Sequence, residues 1–125
     1  MLNIGIVGCG NWSFTIIKEL EKNNYFNLDS IVCRNYVSKK IEFEKKIIVY
    51  ENIEKFFSRN TLDCIYVAGN PILNLQAVNL AKKNKIPLIL EKPIGNSYSS
   101  AKKIQLLADK YDLIILPNLT NYFSD

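Results

Sequence analysis

Leu2-Asn3-Ile4-Gly5-Ile6-Val7-Gly8-Cys9-Gly10-Asn11-Trp12-Ser13 is the stretch that decides the fold. The apolar run Leu2 to Val7 reads as a buried strand. It feeds a glycine turn, and the turn feeds an amphipathic helix starting near Trp12. Gly8 permits the tight strand-to-helix turn, and Gly10, with no Cβ, lets the backbone approach a pyrophosphate at the helix's free N–H groups and positive dipole end. Ser13 stands where a third glycine usually packs helix on strand, and it is small enough to serve.

The pattern repeats downstream. Strand-like runs at Leu2 to Val7, Leu28 to Cys33, Ile47 to Tyr50, Leu62 to Ala68, Pro87 to Leu90 and Leu113 to Leu116 alternate with helical stretches. Such alternation predicts a parallel sheet covered on both faces. The first helix, Trp12 to Lys22, aligns Phe14, Ile17 and Leu20. Pro71 to Asn84 aligns Leu75, Val78 and Ala81, with Lys82, Lys83 and Lys85 at the negative end of its dipole. Ser97 to Tyr111 aligns Ala101, Ile104, Leu107 and Ala108. Asn52 caps a short helix to Phe57, and Asn35 to Lys46 reads as a loop with a broken helix. The expected architecture is α/β: a doubly wound, Rossmann-like, mostly parallel sheet of about six strands in a single domain, residues 1–125. Its ligand crevice lies outside the strands' C-terminal ends.

Composition narrows the function. The net charge of +4 comes from lysines spread over helix faces, not from a basic block interleaved with aromatics, which argues against a nucleic-acid surface. No apolar run approaches the ~18 residues of a membrane helix, and the N-terminus enters a strand without a basic region and cleavage site. Cys9, Cys33 and Cys64 are odd in number and widely separated, which predicts reduced thiols and a cytoplasmic location. With no histidine in the chain, His-dependent triads and the commonest metal ligand are removed, and no metal site is expected.

Three strand ends carry the candidate site residues. In a dinucleotide fold, the end of the second strand, about 20 residues past the glycine turn, grips the adenosine ribose. Here it reads Cys33-Arg34-Asn35. Arg34 can stack on adenine and pair with a 2′-phosphate, which favours NADP over NAD, or it is a solvated loop charge. Lys39 and Lys40 can assist or are surface lysines. After the fourth strand, Ala68-Gly69-Asn70-Pro71 forms a turn facing the crevice, with Pro71 suited to a first helical turn. The fifth strand ends in Glu91-Lys92-Pro93-Ile94-Gly95. Lys92 can present positive charge to a substrate oxygen, or it forms a strand-end ion pair with Glu91.

Taken together, GCGNWS from Gly8, VAGNPILNLQA from Val67 and EKP at Glu91 to Pro93 resemble the nucleotide-binding domain of the glucose-fructose oxidoreductase / inositol dehydrogenase / rhizopine-catabolism family. The resemblance spans practically the whole chain. It implies that Lys92 contacts cofactor and substrate beside the hydride-transfer locus, and that the bond before Pro93 is cis, a rare feature. It implies cofactor contacts at Gly8, Gly10, Asn11 and Trp12 on the pyrophosphate, Arg34 on the ribose, and Ala68, Gly69 and Asn70 along the dinucleotide. Glu91, Lys92 and Pro93 mark the nicotinamide end. Asn74 falls where many members have a histidine, and Asn121 and Tyr122 fall in a stretch that usually carries an arginine, which this chain lacks.

Family members continue into a larger α/β substrate domain, absent from these residues. The expected function is therefore the NAD(P)-binding part of an oxidoreductase acting on a sugar, polyol or nucleotide sugar, with little or no turnover alone unless a partner chain supplies the rest. The competing reading is a non-catalytic nucleotide-binding module, a redox-sensing or partner-docking subunit.

Overall fold

The computed structural model describes residues 1–34, 47–59 and 61–118. The expected loop between Asn35 and Lys46, with Lys39 and Lys40, lies outside the described residues, as do Asn121 and Tyr122. In chain order the elements are β1 (Leu2–Val7), α1 (Asn11–Glu21), β2 (Phe26–Val32), β3 (Ile48–Tyr50), α2 (Ile53–Phe57), β4 (Cys64–Val67), α3 (Pro71–Ala81), β5 (Leu88–Glu91), α4 (Tyr98–Tyr111) and β6 (Ile115–Asn118). The six strands pair in parallel in the order β3-β2-β1-β4-β5-β6. The order reverses between β1 and β4, and a doubly wound sheet opens its ligand crevice at that switch point.

Alternation along β1 divides the core. Ile4 and Ile6 join Ile31, Tyr66 and Ile17 of α1 on one face. Val7 joins Val67, Leu90, Val78 and Ile104 on the other, beneath α2, α3 and α4. Gly5 admits the ring of Phe56, which would collide with any Cβ there. In α3 the fully buried positions are Asn74, Ala77, Val78 and Ala81, while Leu75 is only partly covered. The buried stripe is therefore rotated from the expected one, because a polar residue occupies part of it.

Local signals account for the helix starts. Asn52 caps α2 by accepting from the Lys55 N–H at 2.9 Å. Asn70 caps α3 by accepting from Leu73 N–H at 3.2 Å, with Pro71 in the first turn. Ser97 and Ser100 form a reciprocal capping box on α4. Asn70 sits at φ −75°, so its place in the turn comes from capping and not from an unusual dihedral.

The expectation of reduced thiols needs correcting. Cys9 and Cys33 are joined by a disulfide, with 5.2 Å between their Cα atoms. Cys9 lies within the glycine turn after β1 and Cys33 follows the neighbouring strand β2, so parallel pairing of β1 and β2 brings together residues 24 positions apart. Cys64 is the free cysteine, at the start of β4, and burial pushes its thiol pKa up.

Candidate functional site: a crevice at the sheet's switch point

The glycine turn shows what each glycine does. Gly8 sits at φ +114°, and a Cβ there would lie 2.5 Å from the Ala68 carbonyl oxygen. A side chain is excluded by backbone conformation and by the approach of β4's end. Gly10 differs: its φ is −84°, and no described residue lies within 4 Å of where a Cβ would point. The space above Gly10 is open. Ser13 is fully buried, with its Oγ 3.5 Å from the Ala68 carbonyl oxygen, holding α1 on the strand ends.

Among the described residues, side chains cap the starts of α2, α3 and α4, but none caps α1. No carboxylate stands in its first turn either. Its leading N–H groups thus face the open space over Gly10 with the positive end of the helix dipole behind them, an arrangement suited to an anion.

That space belongs to a crevice of about 390 Å³ lined by Gly8, Cys9, Gly10, Arg34, Ala68, Gly69 and Asn70, with Val7, Val32, Glu51, Ile53, Leu73 and Gln76. Six of the expected cofactor contacts thus come together here: Gly8, Gly10, Arg34, Ala68, Gly69 and Asn70. Arg34 is exposed at the β2 end. Glu51 enters the same lining from the end of β3, a carboxylate that sequence reading missed. Its signal was a charge immediately after an apolar strand.

Asn11, Trp12, Asn74, Glu91, Lys92 and Pro93 lie outside that lining. Asn74 is fully buried, and its Nδ2 donates to the carbonyl oxygens of Glu91 (3.0 Å), Pro93 (3.4 Å) and Ile94 (3.1 Å). Its amide nitrogen faces backbone rather than solvent. The Lys92–Pro93 bond is cis. Both residues are exposed at the C-terminal end of β5.

Glu91 does not turn toward Lys92. Its Oε1 accepts from Trp12 Nε1 at 2.6 Å, from Asn118 Nδ2 at 2.6 Å and from the Tyr66 hydroxyl. Trp12 Nε1 also lies 3.0 Å from the Tyr66 oxygen and Asn118 Nδ2 2.7 Å from it. The cluster joins α1, β4, β5 and β6, so Trp12 and Glu91 tie the strand ends together. Burial, reinforced by the hydrogen bond to Glu91, pushes the Tyr66 hydroxyl up to about 12. Tyr66 and Asn118 were not singled out from the sequence, although a tyrosine within the apolar strand CIYV already called for a polar partner.

Among the described residues, no group of three or more His, Cys, Asp or Glu side chains is placed to hold a metal. No helix among them is long and apolar enough to cross a membrane.

Solved structures with this fold include a probable dehydrogenase from Thermotoga maritima (TM-score 0.86, 18% identity, covering 98% of this chain and 37% of that one). The apo scyllo-inositol dehydrogenase of Lactobacillus casei is similar (TM-score 0.82, 19% identity, 100% and 38% covered). So is the biliverdin reductase of Synechocystis sp. PCC 6803, solved with biliverdin and NADP+ (TM-score 0.80, 18% identity, 94% and 37% covered). The chain thus spans little more than a third of these proteins' length. No curated protein matches it. The sequence pattern described as "Oxidoreductase family, NAD-binding Rossmann fold" matches residues 2–119, and the chain belongs to that family of glucose-fructose oxidoreductase, inositol dehydrogenase and rhizopine-catabolism proteins.

Proposed function

We propose that this chain is the nicotinamide-dinucleotide-binding part of a cytoplasmic oxidoreductase acting on a sugar, polyol or nucleotide sugar, with NADP preferred over NAD. The observation that carries the reading is the open crevice above Gly10, at the switch point, with α1's uncapped N–H groups on one side and Arg34 on another. The amides of α1's first turn, with Asn11 and Trp12, hold the diphosphate. Arg34 meets the adenosine ribose or its 2′-phosphate, and Ala68, Gly69 and Asn70 border the path toward β5. When bound, the nicotinamide supplies a hydride acceptor or donor.

Glu91 is a positioning residue, fixed by Trp12, Tyr66 and Asn118. Lys92, the next residue, stays exposed and carries the charge that orients or polarises the reacting oxygen. Pro93 and Asn74 shape the turn that aims it. With Lys92 open to water and no histidine in the chain, the isolated chain binds cofactor and turns over little or not at all. A further domain or partner chain covers the nicotinamide side and supplies the proton-transfer group.

A second reading, a non-catalytic nucleotide-binding module that docks on a partner, draws support from β6, where Leu116 is 56% exposed and neighbouring Ile114 60%. Calorimetric titration with NADPH and NADH, followed by candidate sugars under a nicotinamide absorbance readout, separates the readings. Binding with sugar-dependent hydride transfer supports the enzyme, and binding without it, even with Lys92 intact, supports the module. No binding of either nucleotide removes both.

A further inference from the structure

We infer that Cys9 and Cys33 form a thiol–disulfide exchange site whose redox state sets the affinity of the crevice for the dinucleotide's adenosine diphosphate half. The inference rests on the dinucleotide reading above and adds a regulatory input to the same crevice.

Position carries the argument. Cys9 lies between the two glycines of the turn and lines the crevice. Cys33 is the first residue after β2, the strand end that meets the adenosine ribose, and Arg34 follows it. The crosslink therefore spans the diphosphate and ribose portions of one site. A Cα separation of 5.2 Å lies within the range that disulfides require. The backbones hold it in place: Gly8 N–H donates to the Val32 carbonyl at 3.0 Å and Cys33 N–H to that of Tyr50 at 2.8 Å. Crosslinking thus needs no refolding.

Exposure makes the site exchangeable. Cys33 is fully buried, whereas Cys9 is partly exposed, so an incoming thiolate reaches Cys9 Sγ and Cys33 Sγ departs. Cys64 does not compete, for it stands at the start of β4, the far end of the sheet. A disulfide in a reducing cytoplasm is characteristically transient or sensing rather than structural.

The balanced reaction is exchange with a low-molecular-weight disulfide, RSSR, as oxidant. One cysteine thiolate attacks RSSR and expels RS⁻, leaving a mixed disulfide. The other thiolate attacks that bond, forms Cys9–Cys33 and expels a second RS⁻. Two cysteine thiols lose two protons and two electrons, and RSSR becomes two RSH.

The direction follows from the crosslinked state itself. With the bond in place the crevice is open and the face over Gly10 is clear. The bond ties the turn to β2 in that arrangement in addition to the backbone hydrogen bonds, so its reduction leaves the turn more conformations to lose when ligand binds. The oxidised chain therefore binds more tightly. By linkage, the dinucleotide drives exchange toward the disulfide by the same factor.

The test equilibrates the full chain in glutathione buffers of graded composition, with alkylation and mass measurement for the crosslink and calorimetry for NADPH. The crosslink is expected to form between Cys9 and Cys33, and oxidised protein is expected to bind NADPH about fivefold more tightly than reduced. Saturating NADPH should raise the exchange constant by a matching factor. Cys33→Ser, which leaves the crevice lining intact, should bind alike in both buffers. Alkylation of both cysteines throughout, or equal affinity in the two redox states, overturns the inference and leaves the dinucleotide reading standing. Absence of NADPH binding in both states overturns the two together.

Discussion

Asn74 Nδ2 donates to the Glu91 carbonyl oxygen across 3.0 Å, so a buried residue of α3 holds the strand end that presents Lys92. The same amide reaches the carbonyls of Pro93 and Ile94, and the cis Lys92–Pro93 turn is thereby anchored on three of its backbone oxygens. Substituting Asn74→Ala removes a fully buried donor and leaves these partly buried acceptors without it. Unpaired buried polar groups are costly, so the variant should lose about 3 kcal/mol of stability in denaturant unfolding. A loss below about 1 kcal/mol would show that water or relaxation replaces the amide.

The two glycines of the turn should separate folding from binding. Gly8→Ala places a side chain at positive φ and against the Ala68 carbonyl, and should cost about 2–4 kcal/mol of stability. Gly10→Val meets open space and an ordinary φ, so it should fold within about 1 kcal/mol of the parent. Its isopropyl group fills the region assigned to the diphosphate, and NADPH affinity should fall by at least about tenfold. Unchanged affinity in a folded Gly10→Val would move the phosphate site elsewhere.

Arg34 is exposed in the crevice lining. Arg34→Asp should weaken NADPH about tenfold or more, the scale of a lost charge-assisted contact, with a much smaller effect on NADH. Calorimetry with both nucleotides reads the difference directly. Equal losses would remove the 2′-phosphate contact and shift attention to Glu51 as the residue meeting the ribose.

Tyr66 gives the folded protein a signature at high pH. Its hydroxyl is pushed from 10.0 up to about 12, first by burial and then by the hydrogen bond to Glu91. Below pH 10 both folded and unfolded chains keep the proton, and the stabilisation is complete. Between pH 10 and about 12 the unfolded chain gives it up first, so stability declines as pH rises. The decline should be shallower in Tyr66→Phe, measured by urea unfolding across that interval. Parallel profiles for the two proteins would mean that the tyrosine titrates normally.

Short-range chemistry made much of the molecule legible in the sequence. Apolar runs and turn residues announce the strands, and Asn52, Asn70 and Ser97 mark helix starts because a side-chain oxygen need only reach an N–H two or three residues on. Gly8 and Gly10 announce the turn, while the cis bond before Pro93 is implied only by the resemblance of the EKP motif to its family. Long-range pairing stayed hidden. Nothing local tells Asn74 to face three carbonyls, Tyr66 to meet Glu91, or Cys9 to join Cys33, since the partners lie 17 to 25 residues away along the chain. The parallel sheet sets those meetings: every crossover returns the chain to the same edge, so residues from separate strand ends converge only once all the strands are paired. Sequence determined the fold and where its crevice opens; tertiary structure decided which side chains face the ligand and which hold the frame.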